Sequence, residues 1–209
     1  MSECQYCQSR RNFLGMGAAA GLGLILPSVS FAAAGGSFKQ ITGHILVDGK
    51  KATPRTRIAP SSHVETGPDS IASFVIGNNA FAIRSDTQVQ FSRQRTSLSG
   101  FRLLTGALLG VFGPGPKRLV TKTATIGIRG TGVYFENSEQ SSYICLCYGA
   151  IDLNANSVPD TVVPVTATHH DGKTVTENGN ISAAPMVNHT DDELIMLEGL
   201  VGRKPPFVS

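Results

Sequence analysis

The sequence predicts an all-β protein, built from short strands and hairpins stacked in a sandwich-like or solenoid-like way, with a short C-terminal helix. Between residues 41 and 154, short runs of β-branched and aromatic residues alternate with Gly, Asn, Asp and Pro. That spacing is typical of an all-β domain. No amphipathic helical pattern interrupts this region, so the sequence disfavours a parallel sheet with helical crossovers.

The strands follow from these runs and from the turn residues between them. Turn sequences such as Asp48-Gly49, Gly77-Asn78-Asn79 and Gly113 to Pro116 supply positive or fixed φ angles where the chain reverses. The predicted strands are Ile41 to Asp48, Ser70 to Ile76, Ala80 to Arg84, Thr87 to Ser92, Phe101 to Thr105, Ala107 to Phe112, Arg118 to Thr123, Thr125 to Ile128, Gly132 to Glu136, Ser142 to Cys147 and Ala150 to Leu153.

Residues 155–209 have a different pattern and are predicted to form a C-terminal extension. Val162 to His169 and Lys173 to Thr176 are predicted to pair as a hairpin whose turn is Asp171-Gly172. A helix is predicted from Asp191 to Val201. Thr190 and Glu193 have the spacing of a capping box at its start. A helix this short needs a packing partner, so we expect its apolar face to dock on the β domain or on another protein.

The N-terminus predicts export. Arg10 and Arg11 precede a Gly/Ala/Leu run that is too short to span a membrane, and small residues follow it. This pattern is typical of a twin-arginine signal peptide over residues 1–34, cleaved after Ala32 or Ala34. Ordinary secretory export and an uncleaved anchor remain open. The expected location is the bacterial periplasm, without stable membrane insertion after cleavage.

Composition excludes some classes of partner. The net charge is only +3, and the basic residues are scattered along the chain, whereas a nucleic-acid binder needs a clustered basic face. The chain has no Trp and only 4 Tyr, so an aromatic-rich ligand groove is not expected.

Two segments carry a family resemblance. Val64 to Gly77 contains T-G-x-x-S, and Thr123 to Phe135 contains Ile128-Arg129-Gly130-Thr131. With Gly43 to Gly49 before them and Gly149 to Leu153 after them, they resemble the FecR domain, a periplasmic β domain named from regulators of iron-citrate uptake. The resemblance covers residues 41–154.

In membrane-bound members of that family, the domain relays the state of an outer-membrane receptor to a cytoplasmic sigma factor. This sequence has no evident anti-sigma segment or spanning helix in the matching places. The resemblance therefore implies a free periplasmic β domain that binds a protein or envelope partner, as a sensor or scaffold.

The Arg129-Gly130-Thr131 element is a candidate binding or structural motif. Gly130 gives the backbone the freedom that a bulge or tight corner needs. The guanidinium of Arg129 offers five donors, either to nearby carbonyls and carboxylates or to an anionic ligand. Both roles remain open from the sequence.

Cysteine and histidine residues suggest a second chemistry. Cys145 and Cys147 are two residues apart on a predicted strand, so both thiols face the same side. With His169, His170 or His189 they could bind zinc, copper or iron. The alternative is that the thiols pack in the core or are oxidised. Cys4 and Cys7 leave with the signal peptide.

Enzymatic activity is not expected from these residues. His169-His170-Asp171 could be an acid/base pair oriented by a carboxylate, but a polar hairpin tip is favoured, because adjacent strand residues face opposite ways and cannot both address one substrate. The motifs G-x-S-x-G, S-x-x-K and H-E-x-x-H are absent. The leading hypothesis is therefore a non-enzymatic, partner-binding FecR-domain protein without a cofactor. The alternative is a periplasmic metal-binding or redox protein that uses the cysteines and the late histidines.

The export signal gives a first testable prediction. The exported protein should begin near Ala33 or Gly35, and replacing Arg10 and Arg11 together by lysine should retain it inside the cell, because a receptor reads the arginine pair. N-terminal sequencing of periplasmic material checks both points. An intact Met1 terminus in the membrane fraction would instead establish an anchor.

Overall fold

A computed structural model describes residues 36–208. The predicted signal peptide, with Cys4, Cys7 and both cleavage sites, lies outside these residues. Within the described range, no helix has the length and apolar character needed to cross a membrane. Its elements in chain order are β1 Gly36–Thr42, β2 Ile45–Val47, β3 Lys50–Lys51, β4 Arg57–Ile58, β5 His63–Thr66, β6 Ile71–Ile76, β7 Asn79–Ile83, β8 Gln88–Gln94, β9 Ser97–Thr105, β10 Ala107–Val111, β11 Lys117–Val120, β12 Ala124–Ile128, β13 Gly132–Asn137, β14 Ser141–Ala155, β15 Val163–Ala167, β16 Asp171–Thr176, β17 Ile181–Ala184 and α1 Asp191–Leu200.

The strands form two open sheets that share β14. Sheet A has the order β4-β1-β6-β7-β10-β13-β14-β16-β17, and all of its pairs are antiparallel. Sheet B has the order β3-β2-β5-β8-β9-β11-β12-β14-β15, and there β9 and β11 run parallel while the other pairs are antiparallel.

Strand β14 passes from one sheet to the other. Its first part, Ser141 to Leu146, pairs with β16 in sheet A, and its last part, Ile151 to Ala155, pairs with β12 in sheet B. Gly149, with a φ of +96°, lies between the two parts. A residue with a side chain rarely adopts this backbone conformation, so the glycine permits the crossing.

The main core lies between the two sheets. Phe81 of sheet A packs on Phe91 of sheet B with ring centroids 5.1 Å apart, and Phe101 of sheet B packs edge-on against Phe135 of sheet A at 5.6 Å. Edge-to-face rings add to the energy of burial alone. Seven buried phenylalanines belong to this core: Phe38, Phe74, Phe81, Phe91, Phe101, Phe112 and Phe135.

A second apolar layer covers the outer face of sheet A. Helix α1 buries Leu194 and Leu197 there completely. At its start the Thr190 hydroxyl accepts from the amide of Glu193, and the Glu193 carboxylate accepts from the amide of Thr190. The capping box predicted from the sequence is thus confirmed.

The predicted all-β class with one short C-terminal helix is confirmed, and individual strands differ. Ile41 to Asp48 is not one strand, because Gly43 takes a φ of +81° and its neighbours go to different sheets. The predicted strands Ser142 to Cys147 and Ala150 to Leu153 are parts of the single strand β14. Four short strands, β3, β4, β5 and β17, were not predicted.

The predicted hairpin of the C-terminal extension is wrong in its pairing. Its two strands exist as β15 and β16, but each pairs with a different part of β14, so they are not paired with each other. The reason is that β14 continues through both sheets and offers each strand a longer partner. The hairpin of this region is formed by β16 and β17.

Gly130 lies in the turn between β12 and β13, where the chain passes from sheet B to sheet A. Its φ is +72°, and a Cβ atom there would meet only the Phe112 carbonyl oxygen, at 3.9 Å. Gly127 has no positive φ, and a Cβ atom there would make only ordinary contacts with Asp152. Backbone conformation, rather than lack of space, therefore requires the glycine at position 130.

We expect Gly130→Val to lower the free energy of unfolding by about 1 to 3 kcal/mol, because a β-branched residue is strained at positive φ. The matched control, Gly127→Val, should change it far less, because valine suits a strand. Denaturant unfolding of both variants measures the difference. Equal stabilities would remove the conformational requirement at position 130.

Candidate metal centre

Four potential metal ligands converge on the outer face of sheet A. The sulfur atoms of Cys145 and Cys147 and one ring nitrogen each of His170 and His189 all lie within 4.8 Å of one another. Both cysteines are fully buried, His189 is nearly so, and the His170 side chain is 9% exposed. Long-range folding thus brings together residues that lie up to 44 positions apart in the sequence.

The alternation of β14 presents the two sulfur atoms. Ile144 and Leu146 point into the core between the sheets, whereas Cys145 and Cys147 belong to the apolar layer under α1. The prediction that both thiols share one face is confirmed. The two cysteines are free and form no disulfide with each other.

His170 approaches from the loop that joins β15 to β16. Its φ is +44°, a conformation that non-glycine residues adopt only occasionally. Its Nδ1 lies 3.7 Å from the Cys145 sulfur, and its Nε2 lies 2.8 Å from a carboxylate oxygen of Asp191. The carboxylate therefore assigns the ring proton to Nε2 and leaves the lone pair of Nδ1 directed at the thiols.

His189 approaches from the segment just before α1. Its Nδ1 donates to the carbonyl oxygen of Val187 at 2.7 Å, so the lone pair of its Nε2 faces the cluster. Nε2 lies 3.5 Å from the Cys147 sulfur. The ring also stacks on Tyr134, with centroids 4.7 Å apart and planes inclined by 14°. These contacts fix the orientation of the imidazole.

Three of the six distances between the ligand atoms match a single tetrahedral ion, and the other three are at most 4.8 Å. Zinc bonds of about 2.3 Å to sulfur and about 2.0 Å to nitrogen place tetrahedral S and N ligand atoms about 3.5 Å apart and two N ligand atoms about 3.3 Å apart. The observed S–N separations are 3.7 and 3.5 Å, and the separation between Nδ1 of His170 and Nε2 of His189 is 3.4 Å.

The lone pairs of the four ligand atoms favour a bound cation. Nδ1 of His170 and Nε2 of His189 carry no proton, because each ring is protonated at its other nitrogen. Both are therefore acceptors and cannot hydrogen-bond to each other. Without a metal, only the two thiol protons are available, and they would have to serve both nitrogens as well as the hydrogen bond between the thiols. Such S–H bonds are weak, whereas a bound cation would satisfy all four lone pairs at once.

Mutual interaction makes one of the two thiols acidic. The hydrogen bond with the Cys147 thiol is the largest cause that lowers the pKa of Cys145, and it outweighs the opposing effect of burial. The same hydrogen bond, together with burial, raises the pKa of Cys147. The cluster therefore favours a thiolate at Cys145, and the thiolate is the form that binds metals.

Asp191, which was not singled out from the sequence, holds the outer edge of the cluster. Burial acts to raise the pKa of this carboxyl, but hydrogen bonds from His170 and His169 prevail and lower it. A carboxylate that accepts the second N–H of a ligating histidine is a recurrent feature of zinc sites. The signal in the sequence was His189-Thr190-Asp191, where a helix start follows a candidate ligand directly.

The other predicted site residues occupy different places. His169 is 48% exposed on its side chain and contacts Asp191 at 2.9 Å, outside the four-ligand group. The expectation that His169 and His170 face opposite ways is wrong, because both lie in a loop and both reach Asp191. Asp171 pairs instead with Lys173, at 2.6 Å.

The Arg129-Gly130-Thr131 element is separate from the cluster. It forms the turn between β12 and β13, with Arg129 exposed and Thr131 fully buried. The backbone carbonyl of Thr131 accepts from the amide of Phe112 at 2.9 Å. Within residues 36–208, Arg129 forms no salt bridge with a carboxylate, so its ligand-binding or local structural role stays a prediction.

Comparison with known proteins gives little further information. No family model matches the chain, and no curated protein is similar to it. Two crystal structures of a protein from Parabacteroides distasonis, provisionally described as an anti-sigma factor, align over 66% of this chain with 12% identity and a TM-score of 0.49. The chain covers 65% and 64% of the length of those two structures. A similarity at this level carries no inference about function, which has to be argued from the chain's own residues.

The arrangement predicts that Asp191 orients His170. Replacing Asp191 by Ala should weaken metal affinity by roughly 10–100-fold, the usual cost of losing such a partner. Asp192→Ala is the matched control, because Asp192 is the next residue in the same first helical turn. Competition with a chelator of known affinity measures both. Equal affinities would mean that Asp191 contributes only to the helix.

Proposed function

We propose that this protein is an exported, non-enzymatic β-sandwich protein that binds one zinc ion through Cys145, Cys147, His170 and His189. The observation that carries the proposal is the convergence of two thiols and two imidazole lone pairs within 4.8 Å of one another, with three of their separations close to those of a tetrahedral zinc site. Of the two hypotheses drawn from the sequence, this geometry favours metal binding.

Zinc fits the donor set better than the alternatives. Two sulfur and two nitrogen donors in tetrahedral geometry are typical of zinc or of an iron–sulfur cluster. In a two-iron cluster with mixed ligands, the cysteines bind one iron and the histidines the other. The S–N separations of 3.5 and 3.7 Å place each sulfur beside a nitrogen and so favour a single shared ion.

The burial of the cluster argues against catalysis. Catalytic zinc keeps a coordination position for water or substrate, whereas four protein ligands close a structural site. A nucleophilic cysteine also needs access to its substrate, and both thiols here are fully buried. A closed metal centre that stabilises or reports a folded state is consistent with these facts.

Export and partner binding belong to the same proposal. The arginine pair before the apolar run supports twin-arginine export, a route that carries folded chains and so suits a protein that acquires its metal before leaving the cytoplasm. The FecR-like segments over residues 41–154 support a periplasmic sensor or scaffold. Binding of a protein or envelope partner therefore remains part of the proposed role.

Metal analysis of the purified exported protein tests the proposal. We expect one equivalent of zinc per chain, lost in the double variant Cys145→Ser/Cys147→Ser and in His170→Ala. The variant His44→Ala, which alters a remote exposed histidine, should keep its zinc. Cobalt substitution should give the absorption bands of a tetrahedral thiolate site.

Zinc should also stabilise the fold, because it binds the native state. At a hundredfold excess over Kd the free energy of unfolding should rise by about 2.7 kcal/mol. If the thiols only donate hydrogen bonds to the imidazoles, the metal content should stay at background and zinc should not change the free energy of unfolding. That result would instead support the other hypothesis, a metal-free protein that binds its partner through β surfaces.

A further inference from the structure

The four ligands come from three separate parts of the fold. Cys145 and Cys147 belong to β14, His170 to the loop before β16, and His189 to the segment that leads into α1. We call residues 187–207, which contain His189, α1 and the following turn, the C-terminal cap. An ion bound at the cluster would therefore cross-link the cap to sheet A.

Apart from those of His189, the interactions that attach the cap to sheet A are modest. Helix α1 has ten residues and buries two leucines against small side chains such as Ala80 and Ala82, and Leu200, Val201 and Phe207 pack there partly buried. A helix of this length is not stable alone in water. The ion pair between Arg84 and Glu193 is about one-quarter exposed on both sides, and such partly solvated pairs contribute little.

The two ends of the cap are attached in different ways. At the C-terminal end, the Tyr148 hydroxyl donates to the buried carboxylate of Glu198, which also accepts from Arg203 at 2.6 Å. At the N-terminal end, the buried polar contact is that of His189 with Cys147, whereas the contacts of Asn188 with Glu136 and Arg84 are exposed. The buried contacts at the start of α1 are therefore those of the His189 ring, which also stacks on Tyr134.

We propose that zinc occupancy controls docking of the C-terminal cap on sheet A. This inference rests on the proposed function, since it requires the metal site. With zinc bound, His189 and Asp191 hold the start of α1 against the sheet. Without zinc, α1 detaches and uncovers the apolar face that it covers, which includes Ala80, Ala82, Leu109 and Val111. The availability of zinc then determines whether this apolar face is covered or exposed.

Hydrogen exchange of the full exported protein, with and without zinc, tests the proposal. Amides of residues 190–201 should lose protection when zinc is removed, while amides of the central strands β7 and β10 keep theirs. Failure of wild-type protein to bind zinc would overturn the proposed function. Zinc binding with a cap that stays equally protected in the zinc-free protein would overturn this inference alone.

Thermodynamic linkage supplies a second measurement that does not depend on exchange rates. If zinc favours the docked cap, then weakening the cap must weaken zinc binding by a corresponding factor. Leu197→Ala, which removes a fully buried anchor, should raise the zinc Kd roughly tenfold or more. Ile195→Ala, at a position 41% exposed on the same helix, should change it less than about twofold. Equal Kd values for the two variants would contradict the coupling.

Discussion

The register of β14 is the constraint on which the rest of the structure depends. Side chains alternate along a strand, so a shift of one residue would move the whole set to the opposite face. The observed register pairs Cys145 with Tyr134 and Leu146 with Val133. It sends Leu146 into the main core and Cys145 to the outer face. The same strand that joins the two sheets therefore also decides where the thiols lie.

The outer face of sheet A is an unusual place for two fully buried thiols, since a single sheet face is commonly exposed to water. Helix α1 and the cap cover it, and the small side chains of Ala80, Ala82 and Ala107 leave room for the helix to approach. Covering the thiols has an electrostatic consequence. A thiolate removed from water needs a counter-charge nearby, and a divalent cation held by both sulfur atoms would supply it.

Local patterns in the sequence were sufficient for the strand class, the capping box and the shared face of Cys145 and Cys147, because each depends on neighbouring residues. The convergence of His170 with His189 was not predictable in the same way. It requires the pairing of β16 with β14 and a positive φ at His170. The split of Ile41 to Asp48 was missed for a related reason: a single glycine, Gly43, redirects the chain between sheets. Long-range pairing and isolated backbone conformations leave little trace in local composition.

The FecR-like segments and the metal cluster occupy different parts of the chain. The segments lie within residues 41–154 and supply most strands of both sheets, including the β12–β13 turn that connects them. The cysteines come from the end of that region, whereas His170, His189 and Asp191 all belong to the C-terminal extension. The two sheets thus act as a scaffold that presents two thiols, and the extension completes the site. Two of the four ligands thus come from the predicted β domain and two from the extension, so neither part of the chain forms the cluster without the other.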